Sequence, residues 1–189
     1  MRFVTIYGGP RPRGNTETVL GWAEDALRAE GHEVERFDLT RLDVADCTSC
    51  YACFESKDVP GCVVEDDAQA IFEAMIASDG IVLASPLYMW GVAGALKRFF
   101  DRTVCLVRGF AGPEHNSFIE GKQSALIVTC MGPEEGNADL VTPFFERWAR
   151  YTKLAALAPW IVPGCSEPEA LDEAVRARAA DLAARLSSP

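Results

Sequence analysis

Gly9-Pro10-Arg11-Pro12-Arg13-Gly14-Asn15-Thr16 follows the apolar run Phe3 to Tyr7 and opens a stretch with Val19, Ala23, Ala26 and Leu27 at helical spacing. A strand, a glycine-bearing turn and a helix start in that order make one βα unit. The turn aims backbone N–H groups and the positive end of a helix dipole at whatever sits against it. The spacing Gly-x4-Gly is that of a nucleotide-binding P-loop, but Asn15 stands where the lysine that neutralises a triphosphate belongs. The expected ligand therefore carries one terminal phosphate, with Asn15 and Thr16 as neutral donors. Taken by itself the stretch also reads as an ordinary βα turn capped by Asn15. Two later loops favour the ligand.

Outward from this unit the pattern repeats. Glu33 to Phe37, Ile81 to Ala84, Ala125 to Thr129 and Trp160 to Val162 read as further strands, and most are the near-continuous apolar runs that a sheet buried on both faces requires. Between them, Asp66 with Gln69 gives a capping-box pattern ahead of Ile71 and Met75, and two more helices cover Val92 to Asp101 and Leu140 to Tyr151. Ser166-Glu167-Pro168-Glu169 gives another such pattern, opening a last helix with Leu171, Val175, Leu182 and Leu186 on one side. Five βα units in sequence predict an α/β fold, a doubly wound parallel sheet with right-handed crossovers, as a single domain over residues 1–189. Two longer irregular segments interrupt it. Leu39 to Glu65 carries a Cys-rich insertion at about residues 43–65, and Thr103 to Lys122 contains Gly, Pro, His and Asn.

The 189 residues suffice for one sizeable core, and 49% of them are hydrophobic. A formal net charge of -10 opposes nucleic acid and anionic membrane surfaces. No run approaches the roughly eighteen apolar residues that cross a bilayer, and the chain enters a strand directly after Met1. A cytoplasmic protein with neither nucleic acid nor membrane as partner is expected.

In a doubly wound sheet, ligands sit beyond the carboxyl ends of the strands, so the loops after the first, third and fourth strands converge. After the third comes Ser85-Pro86-Leu87-Tyr88-Met89-Trp90-Gly91, with a fixed turn at Pro86, flat rings at Tyr88 and Trp90, and room for close backbone approach at Gly91. After the fourth comes Thr129-Cys130-Met131-Gly132-Pro133. Either ring alone reads as ordinary helix-sheet packing; the three loops as a set read as a site.

Gly8 to Thr16, Ser85 to Tyr88 with Leu96-Lys97-Arg98-Phe99-Phe100-Asp101 behind it, and Thr129 to Gly132 together resemble the NADPH-dependent FMN reductase family of flavodoxin-like proteins, over about Arg2 to Val162. The resemblance implies a three-layer fold whose five parallel strands run in the order 2-1-3-4-5, with FMN as cofactor and NAD(P)H as co-substrate. It implies phosphate binding by Gly9, Pro10, Arg11, Gly14, Asn15 and Thr16. Ser85, Pro86, Leu87, Tyr88, Met89 and Trp90 would line the ribityl chain and ring, and Thr129, Cys130, Met131 and Gly132 the ring's pyrimidine side. One departure is visible: the family's loop usually reads Gly-Ser-Pro-Arg, and here Gly9 takes the serine position, removing a hydroxyl donor that Arg11 or Arg13 could replace by charge. Relatives commonly assemble as homodimers or homotetramers, for which Thr103 to Lys122, with Phe110, His115 and Phe118, offers a contact.

Four of the seven cysteines form a second motif, Cys47-x2-Cys50-x2-Cys53 followed by Cys62. Three cysteines at two-residue intervals let a short loop wrap three corners of a cubane, and a fourth completes the ligand set of a 4Fe-4S cluster. The motif resembles that of iron-sulfur flavoproteins, a branch of the same family, although the last gap is usually shorter there. A zinc site and free thiols remain open readings, zinc being disfavoured because structural sites more often use two separated pairs. Cys105, Cys130 and Cys165 read as small packing residues.

Flavin chemistry needs no protein nucleophile. The chain agrees: its two histidines, His32 and His115, have no Ser or Cys partner at motif spacing. The leading expectation is an FMN-dependent NAD(P)H oxidoreductase that passes electrons to a small acceptor such as a quinone, a nitroaromatic or free flavin, with or without a cluster. The alternatives are a non-enzymatic flavodoxin-like carrier that docks a redox protein through its acidic surface, and a zinc-stapled interaction module.

Overall fold

The computed structural model describes residues 1–56, 58–109 and 112–188. In chain order its elements are β1 (Arg2–Tyr7), α1 (Asn15–Ala29), β2 (Glu33–Asp38), α2 (Ala68–Ala77), β3 (Gly80–Tyr88), β4 (Gly91–Val92), α3 (Gly94–Arg102), β5 (Val107–Arg108), β6 (Asn116–Ser117), β7 (Gln123–Thr129), α4 (Val141–Tyr151), β8 (Ala155–Ala156), β9 (Trp160–Val162) and α5 (Glu173–Leu186).

The main sheet runs β2-β1-β3-β7 and ends on β8 and β9, all parallel, which is the expected order 2-1-3-4-5. The fifth position is split. β8 pairs with Gln123 and Ser124 and β9 with Ile127 to Thr129, and Pro159, which has no N–H to give a ladder, lies between them. The strand residues alternate strictly between two cores. Val4, Ile6, Ile81, Leu83, Leu126 and Val128 pack under α2, α3 and α4, while Phe3, Tyr7, Val82, Ala84, Ala125 and Ile127 pack under α1 and α5. Helices therefore cover both faces, and the βα loops meet at the carboxyl edge.

Two helix starts differ from the sequence expectation. Asp66 accepts from the Ala68 N–H (3.0 Å), but Gln69 does not return to it; its Nε2 donates to the carbonyls of Cys62 (2.9 Å) and Val64 (3.2 Å). The helix thus begins by anchoring the cysteine loop instead of closing a box. Pro168 to Ala170 form only a short 3₁₀ turn, and α5 starts later, where Asp172 Oδ1 accepts from the Val175 N–H (2.9 Å). Asp172 is the competent cap because its side chain faces the first free N–H groups. No helix among the described residues is long and apolar enough to cross a membrane.

Candidate functional site

At the carboxyl edge a crevice of about 200 Å³ is walled by all three expected loops: Gly9, Pro10, Arg11, Gly14, Asn15 and Thr16; Pro86, Leu87 and Tyr88; and Thr129, Cys130 and Met131. Tyr7 and Cys165 complete the wall. Sequence reasoning left both out, Tyr7 as an interior strand residue and Cys165 as packing. For Tyr7 the available signal was its place as the last residue of β1.

The first loop meets α1 with its donors free. Gly14 caps the helix without a side-chain bond, and the N–H groups of Asn15, Thr16 and Glu17 have no protein acceptor among the described residues. With the helix dipole behind them they form an anion seat. The side chains do other work. Asn15 Nδ2 donates to the Cys165 carbonyl (2.9 Å), which leaves Oδ1 buried without a partner. With its donor taken, the Asn15 side chain has only an acceptor left to offer, while the phosphate donors are backbone groups. Thr16 Oγ1 and Thr129 Oγ1 lie 2.7 Å apart and tie the first loop to the third. Arg11 is exposed and 3.5 Å from Glu167, a pair weak enough for a phosphate to displace.

Gly9 has a local cause. A β-carbon there would lie 2.6 Å from Tyr7 Cζ, so the tyrosine ring holds the space that a serine would need. The Tyr7 hydroxyl donates to the Arg11 carbonyl (3.0 Å) and fixes the loop from within the crevice wall. Burial, with the Glu17 carboxylate nearby, pushes its pKa up to about 12, so it remains a neutral donor.

The second loop is a hairpin. Tyr88 pairs with Gly91, and Met89 and Trp90 form the two-residue turn at φ 48° and 63°. Primed turns of this kind favour Asn or Gly, so Met89 and Trp90 sit there at a conformational cost. They point away from the crevice and line a neighbouring depression with Lys97, Leu140 and Phe144. Ser85 is fully buried; its hydroxyl accepts from the Ala93 N–H (2.8 Å) and donates to the Pro86 carbonyl (2.8 Å), which shapes the hairpin from behind. Gly132 packs beside Asn137 and is not on the crevice wall.

The four motif cysteines share a second cavity, of about 500 Å³, with Cys105, Arg102, Tyr51 and Phe54. Ser49 and Tyr51 both adopt left-handed backbone (φ 54° and 62°), curling the loop between the cysteines. The Ala52 N–H and the Thr48 hydroxyl lie against Cys50 and lower its thiol pKa. Cys53 moves up, first through burial and then through the charges of Cys62, Cys47 and Cys50 around it. Burial pushes Cys105 up further, which keeps it a protonated packing group. Among the described residues, no three His, Cys, Asp or Glu side chains close on a common point as tightly as one metal ion demands. The four cysteines line one cavity of about 500 Å³, with a backbone N–H already set against Cys50, and in that sense the residue types fit a 4Fe-4S group.

The remaining loop, Thr103 to Lys122, folds back on α4: His115 Nε2 lies 2.8 Å from the Tyr151 carbonyl, and Arg108 stacks on Phe118. Phe110 lies outside the described residues.

The chain is similar to several known proteins. The chain is 38% identical over 108 residues to an iron-sulfur flavoprotein of Methanosarcina thermophila, covering 57% of this chain and 55% of that protein. It is 30% identical over 167 residues to an iron-sulfur flavoprotein of Archaeoglobus fulgidus, covering 87% and 71%. It thus spans about half the length of several curated relatives it matches. In structure it resembles an NAD(P)H:quinone oxidoreductase of Methanothermobacter marburgensis, with TM-score 0.74, 19% identity and 98% and 96% coverage, a likeness of fold. Residues 1–142 match the family model described as NADPH-dependent FMN reductase, and the chain belongs to that family.

Proposed function

We propose that this protein is an FMN-dependent NAD(P)H oxidoreductase that delivers electrons to a small acceptor of the quinone, nitroaromatic or flavin type, and that Cys47, Cys50, Cys53 and Cys62 hold a 4Fe-4S cluster. The observation that carries this reading is the crevice where three loops meet at the unpaired N–H groups of α1, with the orphaned Asn15 Oδ1 in its wall. FMN bound there supplies acceptance of a two-electron equivalent from NAD(P)H and its release singly or in pairs.

The protein's part is binding and orientation. Asn15, Thr16 and Glu17 offer backbone N–H groups to the phosphate, with Arg11 released from Glu167 to add charge. Asn15 Oδ1 would be the acceptor for a hydroxyl of the bound group. Pro86, Leu87 and Tyr88 would flank the ligand on one side, and Thr129, Cys130 and Met131 would edge it on the other. Neither thiol in the crevice wall is placed as a nucleophile: burial raises the pKa of both Cys130 and Cys165. The exposed Tyr88, Met89, Trp90 and Leu140 beside the crevice support assembly as a homodimer or homotetramer.

Steady-state oxidation of NADH and NADPH by the FMN-loaded protein tests the reading. Turnover that rises with added quinone is expected. Loss of NAD(P)H no faster than with free FMN would leave a carrier that receives its electrons from another protein.

A further inference from the structure

Arg102 is the largest fully buried side chain among the described residues, at 1% exposure, and it stands in the wall of the cysteine cavity. A guanidinium has five N–H donors in a planar fork. Four of them are placed. Nη1 donates to the Ala45 carbonyl (3.0 Å) and Asp66 Oδ2 (2.6 Å), and Nη2 to Asp66 Oδ1 (3.2 Å) and the Val64 carbonyl (3.4 Å). Ala45 and Val64 are the two ends of the cysteine loop, so the Nη groups close its neck. The fifth donor, Nε–H, is buried and meets no oxygen or nitrogen acceptor. The Cys62 side chain lies within hydrogen-bonding reach of the guanidinium. Stapling the loop accounts for the four Nη donors and does not account for the contact between the guanidinium and Cys62.

We propose that Arg102 Nε–H is a hydrogen-bond donor to the sulfur shell of the group held by Cys47, Cys50, Cys53 and Cys62, and that it sets the reduction potential of that group. The inference rests on the cluster reading above. Asp66 neutralises the guanidinium, so what reaches the cavity is one oriented N–H dipole and not a bare charge. A cluster with four thiolates is anionic when oxidised and gains one further negative charge on one-electron reduction. A donor to its sulfur stabilises the reduced form more, and removing the donor lowers the potential. A water in the cavity could also accept from Nε, so the test reads the cluster itself.

The protein and its Arg102→Lys variant, reconstituted anaerobically with iron and sulfide, are assayed for both elements and titrated potentiometrically. Arg98→Lys, in which a half-exposed arginine outside the cavity is changed, is the control. The unaltered protein is also labelled with ¹⁵N-arginine and its dithionite-reduced cluster examined by pulsed EPR. Expected are an arginine-nitrogen coupling in the unaltered protein, and in Arg102→Lys equal iron and sulfide with the reduced-to-oxidised ratio at fixed potential lowered about tenfold, or about 59 mV for one electron. Arg98→Lys should not shift. An intact cluster without arginine coupling, or an iron-loaded Arg102→Lys with unchanged potential, overturns the role of Arg102 and leaves the cluster standing. If Arg102→Lys fails to fold, the coupling in the unaltered protein decides. Failure of the unaltered protein to take up iron overturns the cluster reading, and this inference falls with it.

Discussion

Tyr7 and Gly9 are two halves of one decision. The sequence shows the missing serine hydroxyl of the phosphate loop as a loss, while the structure shows the same space taken by the Tyr7 ring, whose hydroxyl braces Arg11. Restoring the family's serine should therefore harm this protein. Gly9→Ser is expected to weaken FMN binding about tenfold or more, since overpacking costs roughly 1–3 kcal/mol, and Tyr7→Val/Gly9→Ser should recover most of it. Flavin fluorescence quenching checks this, and tighter binding by Gly9→Ser alone would contradict it. The loops were legible from glycines, prolines and their place after apolar runs. The tasks of single side chains were not. Asn15 turns its donor to Cys165, and Arg102 takes Asp66 as partner, across 150 and 36 positions of sequence. No local pattern announces such pairings.

Strands and helices were legible because their cores impose periods of two and near four on the sequence. Helix starts were less so, since several nearby acidic residues can cap and only packing selects one, as Asp172 and the redirected Gln69 show. At this scale Asp66 matters most. It is 2% exposed, pairs with Arg102, and accepts from the N–H groups of Ala45 (2.8 Å) and Ala68 (3.0 Å), so one carboxylate joins the start of α2 to the cysteine loop and to the end of α3. Burial alone would raise its pKa, but these bonds, led by Arg102, hold it below the ordinary value. Stability from this group is thus present above pH ~4, the unfolded-state range, and is lost as pH falls through its lower folded-state value. Asp66→Asn is expected to cost about 3–5 kcal/mol by stranding Arg102. Urea unfolding checks it, and a change below about 1 kcal/mol would show that the pair is not buried in solution.

Across the whole molecule the acidic balance is held largely at the surface, with Glu24 an exception. It lies under α1 at 5% side-chain exposure, accepts from Thr5 Oγ1 (2.6 Å), and is faced by Arg28 and Arg36, with Asp38 near. Burial outweighs these partners and raises its pKa, so the folded state holds this proton more readily than the unfolded chain does. Its contribution is full below the unfolded value near 4.5 and is lost as pH rises through the folded one. Glu24→Gln should therefore gain in Tm relative to the unaltered protein from pH 5 to pH 8, and a constant difference would contradict the assignment. Both cavities are in question at once, a flavin where three loops meet and a cluster among four cysteines. The most direct test is the visible spectrum of protein purified without oxygen, before and after dithionite. The account predicts two resolved flavin bands with a broad shoulder that bleaches separately. Flavin bands alone would remove the cluster and leave the crevice, and a colourless protein that also refuses added FMN would contradict the whole.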